Sequence, residues 1–318
     1  FAEAPQVWER PYDSHYNWPA IEQRDSLSVA DRLQSMELTP LQRTSIGGFL
    51  EILSMNQPEN ASYLEMMRCW SLTGWNYSLF NDAAARYKLK LGTGALVEAM
   101  ASDGGFDVML DTPVRSVHQT ANAVTVTTAF GEQLQAKRAV VTLPLNVLHT
   151  VAFDPPLKPV KVEASKLKHV GGGAKVFFEV EGDPGAVMTL ARSTESPLIG
   201  SFTYQRGEQH SVLAGFSLVP DALERSVADW QPVLEEFLPG IRLLSTFGHD
   251  WGGDALSQGS WCTYRPGTFV RFADELPKQD NCLFFASGDH GEGWRGFIEG
   301  AIASGSKTAV AVAASLNH

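Results

Sequence analysis

The strongest constraint on this chain lies near its end, in the run LFFASGDHGEGWRGFIEGAIASGSKTA at residues 283–309. An apolar, β-rich stretch enters a glycine-dense loop, and a long small-residue helix is predicted from Trp294 onward. Where a strand feeds a helix through glycines, free backbone N–H groups and the positive end of the helix dipole converge on one point, which suits an anion or a carbonyl oxygen. Asp289, at the strand end, is placed to accept hydrogen bonds from sugar hydroxyls. A plain tight turn with a solvent-facing Asp explains the same spacing, and by spacing alone it is the simpler reading.

The rest of the chain alternates between periods. From Ser26 to about Tyr87 the apolar pattern is helical, with Thr39 and Pro40 as N-cap and first-turn residue of one helix and SYLEMMRCW forming another. A short helix over LGTGALVEAMASDGG follows. The period then changes to two, and TPVRSVHQ, AVTVTTAF and EQLQAKRAVVTLP read as a three-stranded meander ending in a buried strand. After the Pro-rich FDPPLKP come a helical piece, the strand AKVFFEVEG, and strands near 187–190, 200–204 and 212–218. A helix over 221–237 is expected next, and the strand CLFFAS opens the final run. No internal repeat is visible.

Bulk properties remove several function classes. A net charge of −11 argues against a phosphate-tracking surface, so no nucleic-acid partner is expected. Cys69, Cys262 and Cys282 lack the spacing of a zinc site or a disulfide framework, which fits a reducing compartment and gives no metal site. Sequons at Asn60 and Asn76 leave secretion open. No stretch is long and apolar enough to cross a bilayer, so a soluble protein is expected, intracellular, in the cytoplasm or a peroxisome. With 318 residues, 44% of them hydrophobic, one large domain or two ordinary ones can form.

Trp251, Trp261, Tyr264, Trp294 and Phe297 crowd the last third of the chain. Aromatics at such density usually form core, and they also suit the walls around a planar cofactor and an apolar ligand. The motifs decide between these readings. The final run, together with KLKLGTGALVEAM, PVRSV, AKRAVVTLPLNVL with FDPPL, HVGGGAKVFF and HDWGGDALSQGSWCTYRPG, resembles in order the flavin-containing amine oxidases, over residues 87–310. Within that family the chain is most similar to fungal monoamine oxidases that hold FAD without a covalent bond. Where the covalent animal enzymes carry a cysteine before an aromatic residue, this chain has Ser260 and Trp261.

The resemblance implies an α/β fold of mixed α+β character with two interleaved domains. Residues 90–164 and 253–318 would form the flavin side, and 1–89 and 165–252 the substrate side. Lys175 is similar to the lysine that holds a water against flavin N5, and an inward strand lysine needs such a polar partner on physical grounds. Trp261 and Phe297 resemble the two rings between which the amine approaches, and these three residues make up the implied catalytic set. Trp251, Trp294, Gly288, Asp289, Ile298 and Val114 are similar to cofactor-contacting positions, Val114 through its backbone at the adenine end. The implied reaction is oxidation of a primary or secondary amine to an imine, with O₂ reduced to H₂O₂ and FAD carrying the redox chemistry.

The nucleotide-binding βαβ unit with its GxGxxG turn is absent from the sequence. Gly171–Gly173 precede a strand, and Gly92–Gly94 lack the second spacing. The expectation is therefore a split or processed oxidase in which a second polypeptide supplies that segment, since otherwise a sheet edge and apolar faces would lie open. A flavin-free pseudoenzyme or small-molecule binding protein on the same fold is the alternative. A polyamine oxidase would need carboxylates in its cavity. An amino-acid oxidase would need a cavity arginine, for which Arg68 and Arg265 are the nearest candidates, with surface placement expected for both.

Overall fold

The computed structural model of the protein describes residues 2–317. Six helices come first, α1 (Ala4–Val7), α2 (Trp18–Glu22), α3 (Val29–Gln34), α4 (Pro40–Ser54), α5 (Tyr63–Ser71) and α6 (Tyr77–Asn81). Side-chain caps set the starts of α3 to α6. Ser28 and Asp31 close a capping box on α3, Thr39 and Gln42 close another on α4 with Pro40 in its first turn, and Ser62 caps α5. Helix α7 (Gly92–Gly104) follows, with every residue exposed or half-buried.

The predicted meander is present in part. Strands β1 (Val114–Gln119), β2 (Val124–Thr128) and β3 (Gln133–Ala136) are antiparallel neighbours. The third stretch then divides. After Lys137 and Arg138 the chain leaves the sheet, and β4 (Ala139–Val141) pairs in parallel with a strand more than 140 residues further on. Strand β5 (Ala152–Asp154), which the sequence pattern did not reveal, adds in parallel to β1. Helix α8 (Pro159–Leu167) leads to the second half.

There, β6 (Ala174–Glu181), β7 (Met188–Leu190), β8 (Gly200–Gln205), β9 (His210–Ser217) and β10 (Leu243–Phe247) form an antiparallel sheet in the order β10-β6-β9-β8-β7. Helix α9 (Val227–Phe237) covers one face. It begins at its Ser226/Asp229 capping box, six residues later than the pattern suggested, and tolerates Pro232 inside. Val176, Phe178 and Val180 of β6 pack with Leu213, Trp230 and Leu234 into one fully buried core. Because side chains alternate along a strand, Lys175 and Phe177 must face the other side.

Last come α10 (Phe269–Phe272), β11 (Leu283–Phe285) and α11 (Ile298–Leu316). The final helix starts at Ile298 and not at Trp294, because Gly296 at φ 80° turns the chain and Phe297 is extended at the N-cap. Helix α11 is tied to β11 through Thr308 Oγ1 donating to the Phe285 carbonyl and Ser304 Oγ accepting from the Ser287 N–H. A third sheet consists of β11 and β4 alone. Apolar side chains are exposed along α7 and the segment after it, with Leu91, Val97, Phe106 and Leu110 each more than half exposed. Among the described residues no helix is long and apolar enough to cross a membrane.

Candidate active site

The site is built on the open face of the five-stranded sheet. Lys175 of β6 lies opposite Phe216 of β9, which lies opposite Gly200 of β8. Its Nζ sits 5.5 Å from the centre of the Phe216 ring and 5.6 Å from that of Trp261. Burial in this aromatic corner lowers the Lys175 pKa from the ordinary lysine value, because the ammonium form loses hydration.

Trp261 is brought there by a zipper between two loops. The Ser260 N–H donates to the Gly171 carbonyl and the Val170 N–H to the Thr263 carbonyl, both at 2.9 Å. A Cβ at position 171 would stand 2.0 Å from the Trp261 carbonyl oxygen, so the approach requires glycine. The indole Nε1–H then donates 2.7 Å to the Leu53 carbonyl of α4, and the ring meets Phe216 edge-on. Phe297 arrives from the far end of the chain, edge-on against Trp294.

Two cavities meet at these residues. The larger, about 480 Å³, is lined by His169, Trp251, Ser260, Gly288, Asp289 and Ile298 among others. The smaller, about 260 Å³, is walled chiefly by Phe49, Ile52, Phe80, Met188, Phe202 and Phe216, and among the described residues no carboxylate or guanidinium lines it. Lys175, Trp261, Gly296 and Phe297 border both. The arrangement is two mainly apolar cavities, the larger edged also by His169, Ser260 and Asp289, separated by a lysine and two aromatic rings.

Of the positions singled out from sequence, Lys175, Trp251, Trp261, Gly288, Asp289, Phe297 and Ile298 all line the larger cavity. Val114 and Trp294 line neither: Val114 is an exposed start of β1, and Trp294 is half-buried behind Phe297. Asp289 is partly committed, with Oδ2 accepting from the Leu145 N–H at 2.8 Å. Arg68, expected at the surface, is 1% exposed. It is ion-paired to Glu65 at 2.9 Å, where Arg295 also approaches. Burial pushes the Glu65 carboxyl up, and the two guanidiniums more than offset this, leaving it low. Arg265 is half-buried, donates to the Lys168 carbonyl, and lines neither cavity.

Sequence reasoning missed Phe49, Phe216 and His169. Phe216 becomes visible only once the β6–β9 register pairs it with Lys175. Two observations test whether a flavin suits the larger chamber. Ser260 Oγ is buried without a hydrogen-bond partner among the described residues, and no side chain caps the first turn of α11 where Ile298 opens onto the cavity. Unused donors around a chamber of this size fit a planar, acceptor-rich group. Among the described residues no cluster of His, Cys, Asp and Glu could hold a metal ion.

Comparison with known proteins identifies the family. A pseudooxynicotine dehydrogenase from a Pseudomonas species is 37% identical over 99% of this chain and 64% of its own length. A nicotine dehydrogenase from Pseudomonas putida is 28% identical over 95% of this chain and 63% of its own. The chain thus spans less than two thirds of the length of these relatives. Wild-type putrescine oxidase bound to putrescine superposes with a TM-score of 0.82 at 20% identity, covering 98% of this chain and 72% of that one, which establishes the shared fold. The model of the flavin containing amine oxidoreductases matches residues 5–313, and the chain belongs to that family.

Proposed function

We propose that this chain carries the substrate cavity and the flavin-facing wall of an enzyme that oxidises a primary or secondary amine to an imine, with FAD held non-covalently. When bound, FAD supplies the two-electron redox chemistry. The single observation that carries the reading is the shared border: Lys175, Trp261 and Phe297 lie between a smaller cavity and a larger one that Asp289 and His169 also line. The apolar walls favour the neutral amine over its ammonium form. Trp261 and Phe297 orient the amine, and Lys175 holds a water at the border. Ser260 replaces an attachment thiol. Burial, with Asp289 nearby, keeps the Cys262 thiol well above its usual pKa and therefore protonated, which supports a non-covalent cofactor.

The reading divides the chain into a flavin side (90–164 and 253–318) and a substrate side (1–89 and 165–252). It takes in a nucleotide-binding segment from the part of the relatives' length that this chain does not span, in the same polypeptide or a second one. The exposed apolar side chains on α7 and the two-stranded sheet support such a segment. Among the described residues the smaller cavity has no carboxylate for a second ammonium group and no guanidinium for a substrate carboxylate, which disfavours polyamines and amino acids. The relatives' names suggest a nicotine-type amine.

Oxygen is the proposed electron acceptor, giving H₂O₂. A second reading, transfer to another acceptor, is favoured by the word dehydrogenase in both relatives' names. The test is an absorbance scan of purified full-length protein, followed by a panel of amines assayed for peroxide in air and for dye reduction without oxygen. A yellow protein that oxidises amines supports the reading. A colourless protein that binds amines unchanged would replace it with a flavin-free binding protein.

A further inference from the structure

We propose that His169 is a cofactor-contacting residue, presenting its Nε2–H into the larger cavity as a hydrogen-bond donor to an acceptor atom of the bound flavin. This rests on the oxidase reading above and adds a contact to it. His169 is 6% exposed and lines the cavity together with Asp289 and Ser260. Its own backbone N–H donates 2.9 Å to Asn146 Oδ1, while the Asn146 amide donates 2.9 Å to the Gln258 carbonyl. One buried asparagine therefore ties the His169 loop to the loop that carries Ser260 and Trp261.

The imidazole has a defined tautomer. Its Nδ1 accepts from the Gly171 N–H at 3.2 Å, and a backbone N–H can only donate, so the proton of the neutral ring lies on Nε2. Gly259 packs against the ring: a Cβ there would stand 2.9 Å from His169 Cε1 and 2.4 Å from Asn146 Nδ2. The ring is thus wedged as well as hydrogen-bonded. Nε2 makes no hydrogen bond with another described residue, which leaves its N–H available to a group in the cavity that His169 lines.

Three charged groups influence the ring, Asp289, Arg265 and Lys168. Burial lowers the His169 pKa, Asp289 opposes that shift, and the two cations reinforce it. The net effect keeps the ring neutral at physiological pH, a donor at Nε2 and an acceptor at Nδ1. Flavin carries acceptor oxygens and nitrogens along both its ring system and its side chain, so a fixed donor in the wall of its chamber has a matching partner.

The experiment compares wild type, His169→Phe and His169→Gln as flavin-loaded full-length proteins. It reads FAD dissociation constant, visible spectrum and midpoint potential, with circular dichroism as the control for folding. Loss of the donor in His169→Phe should weaken FAD binding about tenfold and shift the visible band. His169→Gln, which restores an N–H near the same place, should recover most of the affinity. Unchanged affinity and spectrum in His169→Phe, or a His169→Gln protein as impaired as His169→Phe, overturns the proposal while leaving amine oxidation in wild type intact. A wild-type protein that takes up no FAD overturns this contact and the oxidase reading together.

Discussion

Glu51 tests how the smaller cavity is held. It is fully buried on α4, with Oε1 2.5 Å from Arg192 Nε and Oε2 accepting from the Ser193 N–H at 2.7 Å. Arg192 is itself only 15% exposed along its side chain. Next to this pair the helix has no room to drift, because a Cβ on Gly48 would stand 2.2 Å from the Ala191 carbonyl oxygen. Glu51→Gln keeps the shape and leaves the guanidinium without its counter-charge. Breaking a buried pair from one side costs about 3–5 kcal/mol, and the partial exposure of Arg192 places this case near about 3. At about 2.1 cal/mol/K per residue, a chain of this length has an unfolding entropy near 0.7 kcal/mol/K, so Tm should fall by about 4–5 °C. KM for the amine should rise as well, since Phe49, Ile52 and Leu53 of the same helix line the cavity. Thermal unfolding followed by circular dichroism, completed by Arg192→Met and the double variant, measures the coupling directly. A Tm drop under about 1 °C, or additive single effects, would refute the reasoning.

Other consequences are equally direct. Lys175→Met should slow flavin reoxidation and turnover on the order of 10²-fold with the fold intact, and stopped-flow traces identical to wild type would remove the lysine from the mechanism. Phe49 separates the 260 Å³ cavity from a neighbouring apolar one of about 360 Å³, so Phe49→Ala should shift preference toward longer amines by about fourfold in kcat/KM per added methylene. An unaltered chain-length profile would show that the two spaces do not join. Burial, aided by Lys161 and Arg295, pushes the buried His290 imidazole down to about 3. Below pH 6.5 the unfolded chain therefore takes up a proton that the folded one refuses, and stability falls as pH drops from 6.5 toward 3, by up to about 1.4 kcal/mol per unit. His290→Leu should flatten the Tm profile in that window, and parallel profiles for the two proteins would reject this assignment.

What could be read from the residues, and what could not, divides along the range of the interactions involved. Local signals were legible: the Thr39–Pro40 helix start, the alternation of β6, and the glycine loop after CLFFAS all depend on neighbours a few positions apart. Signals that depend on distant partners were not. The departure of β4 from the meander is set by pairing with β11, and the role of Phe216 is set by a register across β9. Arg68 looked like a surface residue because its partners are a buried glutamate one turn away and the backbone carbonyl of Glu292, 224 positions on. Trp294 and Val114, marked by motif as cofactor-contacting, lie outside both cavities.

The indole of Trp261 is fastened at its nitrogen to the carbonyl of Leu53, a residue that lines the smaller cavity. One ring therefore acts as a strut between the helix that lines the smaller cavity and the chamber on the other side. Any guest bulky enough to displace α4 must also tilt that ring, so steric fit is reported across the partition without any moving lid. Substitutions at Trp261 will accordingly alter guest size and cofactor environment together, whereas changes at Phe49, which does not border the larger chamber, can alter guest size alone.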